Sequence, residues 1–479
     1  MKKEIKILVG RKEEIEDLEY VYNSDSSEFV AMYGRRRIGK TYLIKTLFRD
    51  EICFELTGIK DASQAEQLEG FYEAIKKCSP EAAQNKKPRN WSKAFIQLQA
   101  YISSIKSKKK KVIFLDEVPW LASQKSNFLK ALDHFWNSYA SWEGNIMLII
   151  CGSAASWIIT KVINDRGGLH NRVTKRIRLM PFTLAETKEF LHYRGVAYNN
   201  YQIMQLYMVT GGVPHYLREV QKTKSVAQNI NDLCFKKDGL LKTEFDNLYS
   251  ALFKNAELHI EVIRALAKKN KGLTRNDVIK YAKLQTGGTM SKVLNELIES
   301  GFVEIATPYK NRLKETVYRL TDSYSIFYLK YIEGINYRIR DVWLHISQSQ
   351  GYKSWCGFSF ENICLQHIDQ IAKAMGISGI GYSASSFVNK GEDSGVQIDL
   401  IIDRNDNIIN LCEMKFASKE YTITKDYDKE LRNKVALFEQ ITNTNKGVVL
   451  TMITPYGLSQ NAYAHSVPIQ LKADILFER

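Results

Sequence analysis

Three groups of residues in this chain have the types and spacing to handle phosphate. The first is Gly34-x4-Gly39-Lys40-Thr41, inside the stretch YGRRRIGKTYLI at 33–44. Gly34 and Gly39 permit a loop whose backbone N–H groups turn inward on an anion, and Arg35, Arg36, Arg37 and Ile38 form the body of that loop. Lys40 would reach the β/γ-phosphates, the Thr41 hydroxyl would hold Mg²⁺, and Tyr42 follows on the outgoing helix. The second group is Asp116-Glu117, at the end of the apolar run 112–115. Asp116 can hold Mg²⁺ through water, and Glu117 can polarise the water that attacks a γ-phosphate. The third lies far downstream and consists of Glu361, Asp399, Glu413 and Lys415.

The third group depends on a hairpin. The stretch GVQIDLIIDRNDNIINLCEMKF (395–416) reads as two apolar strands around the turn DRNDN. A turn centred near Asp406 sets Asp399 opposite Glu413, and Lys415 falls on the same face as Glu413 because strand side chains repeat every two residues. Carboxylates on an apolar hairpin are costly unless paired or bound to a cation. Two of them could hold Mg²⁺ or Mn²⁺ against a scissile phosphate while the lysine orients or deprotonates water. A surface hairpin with a Glu–Lys pair is the plainer alternative. Glu361 would add a carboxylate from the helix expected over 355–376.

The elements that must position the first two groups are strands and helices in alternation. FVAMY (29–33) leads into the glycine loop and TYLIKTLF (41–48) leads out as a helix, the strand–loop–helix setting that the motif needs. EICFELT (51–57), VIFL (112–115), NIMLIICG (145–152) and RIRLM (176–180) supply further buried strands, and the region 60–107 reads as mainly helical, most clearly over 91–105. Lys108 to Lys111 read as a solvated strand entry. Ser153 or Ser156, just past the strand at 145–152, could sense a γ-phosphate; a plain loop serine fits equally. Arg172, in the loop before the last strand, could reach a transferred phosphate or simply lie on the surface. Val9-Gly10-Arg11 forms a turn before a helix.

From 183 to about 250 the pattern is a helical lid, broken by Gly211-Gly212-Val213-Pro214, where Pro214 could flank a base or mark an ordinary turn. Helical units at 259–270, 272–283 and 289–305, followed by an alternating hairpin, give the order of a winged helix-turn-helix. Between Arg264 and Arg319 there are 12 Lys/Arg and five Asp/Glu, which suits DNA, although two glutamates on the second helix of the pair weaken that reading. Tyr324, Phe327, Tyr328 and Tyr331 recur at helical spacing and read as core.

The 479 residues suggest about three domains, and the net charge of +15 favours an anionic partner, nucleotide or nucleic acid. Seven scattered cysteines without a CxxC pair read as reduced thiols of a cytoplasmic protein. Cys364 and His367 are three apart but lack a second ligand pair. No apolar run is long enough for a signal peptide or a membrane span.

YGRRRIGKT, VIFLDEVPW, IICGSAASW and TGGVPHYL, in this order, resemble the archaeal and bacterial AAA+/STAND-related ATPases over roughly residues 5 to 255. That resemblance implies ATP as the ligand, a nucleotide-driven switch, and Arg172 as a group acting on a neighbouring subunit of a homo-oligomer. The Asp399/Glu413/Lys415 pattern resembles the PD-(D/E)XK restriction-endonuclease-like superfamily, which implies Glu361, Asp399 and Glu413 as metal ligands and Lys415 as the catalytic lysine. The expected fold is a multidomain α/β chain: a P-loop ATPase core with a parallel sheet (1–182), a helical lid (183–255), a winged helix (256–335) and a nuclease-like α/β domain (350–479). The expected function is an ATPase switch coupled to DNA binding and metal-dependent cleavage. The alternative is a regulatory ATPase whose last domain only binds nucleic acid or protein.

Overall fold

The computed structural model describes residues 8–79, 86–123, 125–164, 169, 171–284, 287–306, 308–310, 316–335, 342–389 and 395–478. They fall into two compact units: residues 1–181 with short returns at 251–254 and 299–301, and the remainder from 182 onward.

In the first unit, β1 (Glu28–Tyr33), β2 (Ile52–Thr57), β3 (Lys111–Asp116), β4 (Ile146–Gly152) and β5 (Lys175–Arg178) form one sheet in the order β2-β3-β4-β1-β5. Every neighbouring pair is parallel. A parallel sheet covered on both faces needs strands that are apolar throughout, which these are. Val30, Met32, Val112, Phe114, Met147 and Ile149 share one face with α1 (Lys12–Tyr22) and α2 (Lys40–Leu47). Phe29, Ala31, Ile113, Leu115, Leu148 and Ile150 share the other with α3 (Gln64–Cys78), α4 (Trp91–Ser104) and α5 (Phe128–Ser138). Trp91 anchors that second layer, edge-on to Phe128 with ring centroids 4.8 Å apart.

The lysine run before β3 departs from expectation. Lys108 and Lys109 are exposed, but Lys110 and Lys111 are buried. Lys110 Nζ donates to the Val21 carbonyl at 3.0 Å, to Ser24 Oγ at 2.8 Å and to the Ser26 carbonyl at 2.8 Å. Lys111 Nζ donates to the Ile102 carbonyl at 3.1 Å. Lys110 thus ties the end of α1 to the loop that follows it, and Lys111 adds a donor at the last turn of α4, where a cation is favoured.

The second unit opens with α6 (Leu184–Tyr193), α7 (Asn200–Thr210), α8 (Val226–Cys234) and α9 (Glu244–Leu252). Capping boxes at Thr183/Glu186 and Asn199/Gln202 start the first two. Gly211 ends α7 at φ 58, and Phe182 N donates to the Gly212 carbonyl at 2.9 Å. A Cβ on Gly212 would fall 2.1 Å from the Phe182 carbonyl, so this close approach needs glycine. Next come α10 (Ala256–Ala267), β6 (Leu273–Thr274), α11 (Arg275–Ala282), α12 (Gly288–Glu299), β7 (Val303–Ala306) and β8 (Val317–Leu320). Their strands form an antiparallel sheet in the order β6-β8-β7. Tyr324 and Phe327 are fully buried, and Tyr328 stacks on Phe245 at 4.4 Å, so the aromatic stripe is core.

The chain ends in α13 (Gln350–Gln366), α14 (Ile368–Ala374), β9 (Tyr382–Asn389), β10 (Val396–Arg404), β11 (Ile408–Met414), α15 (Lys425–Thr442), β12 (Gly447–Thr454) and β13 (Ile469–Lys472). The sheet order is β13-β12-β11-β10-β9. β9, β10 and β11 pair antiparallel, and β11, β12 and β13 pair parallel. The switch to parallel requires a crossover, which α15 supplies. The helix expected over 355–376 is broken at His367. The ring's Nδ1–H donates to the Ile363 carbonyl at 2.8 Å, and Nε2 accepts from Leu184 N at 3.2 Å. Burial lowers its pKa, so it stays neutral with both nitrogens used, and it is a structural residue.

The tip of the β7–β8 hairpin is sewn into this last sheet. Pro308 bridges Ser386, and Tyr309 N donates to the Ser386 carbonyl at 2.8 Å. The Tyr309 ring is buried among Val396, Ile398, Ile401, Ile409 and Phe438. Among the described residues, no helix is long and apolar enough to cross a membrane.

Candidate functional site

The strand order of the first unit brings three loop ends together. β4 lies between β3 and β1, so Ser153, Asp116 and the loop after β1 meet at the carboxyl edge of the sheet. Gly34 has φ 145, and a Cβ there would lie 2.2 Å from the Leu179 carbonyl. Gly39, at φ 93, precedes α2. Lys40 Nζ donates to the carbonyls of Gly34 at 2.7 Å and Arg35 at 2.8 Å, and to Ser153 Oγ at 3.2 Å. Burial lowers its pKa, opposed by nearby Cys151, Glu117 and Asp116.

Thr41 Oγ1 donates to Asp116 Oδ2 at 2.7 Å. A hydroxyl and a carboxylate this close are the donor types a shared Mg²⁺ takes, so Thr41 and Asp116 fit such an ion. Asp116 Oδ1 accepts from Glu117 N at 2.9 Å. Glu117 sits at φ 48, a left-handed conformation that costs energy outside glycine. Ser153 holds it there: Oγ donates to Oε1 at 2.7 Å and N to Oε2 at 3.2 Å. The geometry thus brings Ser153, and not Ser156, to Lys40 and Glu117. Arg35 and Ile38 are buried in the loop, while Arg36 and Tyr42 are exposed.

Sequence reasoning missed one support. Arg11 is buried, and Nη2 donates to the Ile38 carbonyl at 3.1 Å, bracing the loop. Gly10 at φ 69 and Arg11 at φ 59 make the tight turn that aims it; the pair Gly10-Arg11 was the available signal. Arg172 is exposed, in the turn before β5, with its backbone N–H on the Leu169 carbonyl. Pro214 belongs to the other unit, where it opens a single helical turn, Pro214–Leu217.

A second cluster lies in the second unit. The register pairs Leu400 with Cys412 and Asp403 with Ile409; extended by one residue, it sets Asp399 across from Glu413. Glu413 is buried, and both its oxygens are taken: Oε1 accepts from Tyr427 OH at 2.8 Å and pairs with Lys415 Nζ at 2.9 Å, and Oε2 pairs with Lys434 Nζ at 3.1 Å. Burial pushes its pKa up, but the two lysines and Tyr427 bring it below the ordinary value. Glu361 is pushed up to about 8 by burial and by repulsion from Asp399, against the pull of Lys415. Asp399 Oδ1 accepts from Gln397 Nε2 at 2.5 Å.

Glu361, Asp399, Glu413 and Lys415 therefore sense one another. The donor types suit a hard cation, but the arrangement differs from the expected metal site. Among the described residues, no three acidic, His or Cys side chains close on one point as metal ligands do. The reason is visible at Glu413, whose charge is already balanced by Lys415 and Lys434. Lys434 faces this carboxylate. Tyr427 and Lys434 both come from α15.

Across 437 residues the chain is 25% identical to the uncharacterized protein MJECL04 of Methanocaldococcus jannaschii, covering 90% of this chain and 92% of that one. Over 47 residues it is 45% identical to the ATP-binding protein MJ0423 of the same organism, which is 10% of this chain and 80% of that one. The fold overlays on the Walker-type ATPase PABY2304 of Pyrococcus abyssi with TM-score 0.49 and 15% identity, over 67% of this chain and 96% of that one. Residues 8–220 match the family described as an ATPase domain predominantly from Archaea. The geometry around Lys40 and this match agree: residues 8–220 form an ATPase domain of that archaeal type.

Proposed function

We propose that the chain is an ATP-driven switch that controls a DNA-processing domain. The observation that carries the first half is the closed set Lys40, Thr41, Asp116, Glu117 and Ser153 at one sheet edge. Entering phosphates would draw Lys40 off the Gly34 and Arg35 carbonyls. Thr41 and Asp116 would hold Mg²⁺, which supplies charge neutralisation at the β- and γ-oxygens. Glu117 would orient the attacking water, and Ser153 would sit between the γ-phosphate and Glu117, passing on whether it is present. In a homo-oligomer the exposed Arg172 is the group free to reach a neighbour's phosphate.

The second half is the hairpin register that sets Asp399 across from Glu413 with Lys415 beside it. This supports a PD-(D/E)XK-like reading, with Glu361, Asp399 and Glu413 as holders of Mg²⁺ or Mn²⁺ and Lys415 as the lysine that orients water. The order α10-β6-α11-α12-β7-β8 supports a winged helix between the two. One observation favours the regulatory alternative, a last domain that binds without cutting: both oxygens of Glu413 already carry partners.

A cleavage panel tests both halves. Single-stranded, duplex and branched DNA are incubated with Mg²⁺ or Mn²⁺, with and without ATP, using wild type, Lys40→Ala and Asp399→Ala. Lys40→Ala should lose ATP turnover, and Asp399→Ala should lose cleavage alone. Turnover that survives Lys40→Ala sinks the switch, and a wild type that cuts nothing with either metal sinks the nuclease.

A further inference from the structure

The second unit contains a small cleft, about 80 Å³, whose two walls come from different parts of the chain. One wall is the end of α10 and the loop after it, with Lys269 and Lys271, together with Arg319 on β8. The opposite wall is α13 with β9 and β10, and it carries Glu361 and Asp399. The walls are fixed by the Pro308–Ser386 bridge and by Asn362 Nδ2 and Gln366 Nε2, which donate to the Thr321 carbonyl at 3.1 and 2.9 Å. The cleft thus lies between the β7–β8 hairpin side and the α13/β9/β10 side of the same unit.

Three residues that line the cleft each hold a fully buried polar atom with no hydrogen-bond partner among the described residues: Arg319 Nε, Trp355 Nε1 and Asn362 Oδ1. A buried polar group without a partner costs about 1–3 kcal/mol, so the cleft's walls are under-satisfied just behind their surface. Arg319 Nη2 meets Glu304 Oε2 at 3.2 Å. Lys269 and Lys271 are exposed and add positive charge. Trp355 is 5% exposed and Phe358 is 44% exposed, giving an aromatic floor with one open face. Cations on one side and an exposed aromatic ring on the other are what a nucleotide unit requires.

We propose that this cleft binds a single nucleic-acid strand, with phosphates on Lys269, Lys271 and Arg319 and a base stacked on Phe358. Binding itself is independent of the nuclease reading; only a later cut rests on it, since the strand would then pass beside Glu361 and Asp399. The hairpin module thereby supplies half of a composite site and is not a separate DNA-reading head.

The test measures fluorescence anisotropy of labelled single-stranded DNA, the same sequence as RNA, and a duplex, on the full chain in EDTA. Lys269→Glu/Lys271→Glu should bind a single strand at least about tenfold more weakly, with a salt slope shallower by about 1.4 for two lost phosphate contacts. Phe358→Ala should weaken binding several-fold, and Lys292→Glu on α12 should leave it unchanged. Because both lysines are exposed, the variant should keep the wild-type melting temperature. Wild-type affinity in the double lysine variant, a loss in Lys292→Glu instead, or binding of duplex alone overturns the proposal. The DNA and RNA arms identify which strand is preferred. Loss of binding in the lysine variant from a wild type that cuts nothing upholds the composite site and sinks the nuclease. Asp399→Asn that binds but does not cut upholds both.

Discussion

Ser153 grips Glu117 twice, through Oγ to Oε1 at 2.7 Å and through its backbone N–H to Oε2 at 3.2 Å, while the same hydroxyl accepts from Lys40. One small residue thus ties the phosphate-binding lysine to the carboxylate that handles water. Ser153→Ala keeps the backbone bond but frees one oxygen of Glu117. The expected result is a fall in kcat for ATP hydrolysis of about 10²-fold with KM little changed, since a displaced reacting group costs rate more than binding. Ser153→Thr, which restores the hydroxyl, should recover much of it. Steady-state kinetics of the three proteins settle the matter, and an equal rise in KM would assign Ser153 to binding instead.

Arg11 braces the loop from behind through the Ile38 carbonyl. Arg11→Ala removes a charge-assisted bond from a buried acceptor and should cost about 1–3 kcal/mol. Denaturant unfolding of the apo protein measures this. The variant should also show a smaller rise in Tm on adding ATP, because the loop it leaves is less ordered before binding.

Gly34→Ala tests the loop's shape. The left-handed φ and the 2.2 Å approach to the Leu179 carbonyl mean that a methyl group must move backbone. ATP should no longer raise the Tm of this variant, while its circular dichroism stays close to wild type. Unchanged nucleotide affinity would show that the loop tolerates a wider path.

Glu361 gives a pH signature. Its folded pKa is raised to about 8 from an ordinary 4.5, so the folded state binds its proton more tightly than the unfolded chain does. The destabilisation this causes is absent below about pH 4.5, grows as pH rises through the interval and is complete above about pH 8. Glu361→Gln removes it. In EDTA the variant should match wild type near pH 5 and melt higher near pH 9, and a gap that is constant with pH would contradict the assignment.

Much of the architecture was legible because it is written in local periodicity. The continuous apolar runs at 29–33, 112–115 and 146–151 left little choice but a sheet covered on both faces. The turn DRNDN fixed the hairpin register from which the Asp399–Glu413 relationship derives. What escaped depends on partners distant in the chain. The break at His367 answers to the Leu184 amide, 183 positions away. Lys110 is buried because the end of α1 offers it carbonyls 84 to 89 positions upstream. The balance at Glu413 needs Tyr427 and Lys434, which come from α15, 14 and 21 positions further along the chain. Periodicity shows which face of an element is buried but not which polar group waits there.

Tyr309 has a consequence for how this protein can be cut down or built up. Its ring fills a socket in the last sheet, from a hairpin that lies some forty residues before α13 begins. A fragment starting at α13 would carry that socket empty, with the β9 backbone at Ser386 stripped of its partner. Such a piece should be sticky and prone to self-association. Its inheritance as a tradable cassette would require the hairpin to travel with it, so the unit of exchange between related chains is expected to begin near residue 255.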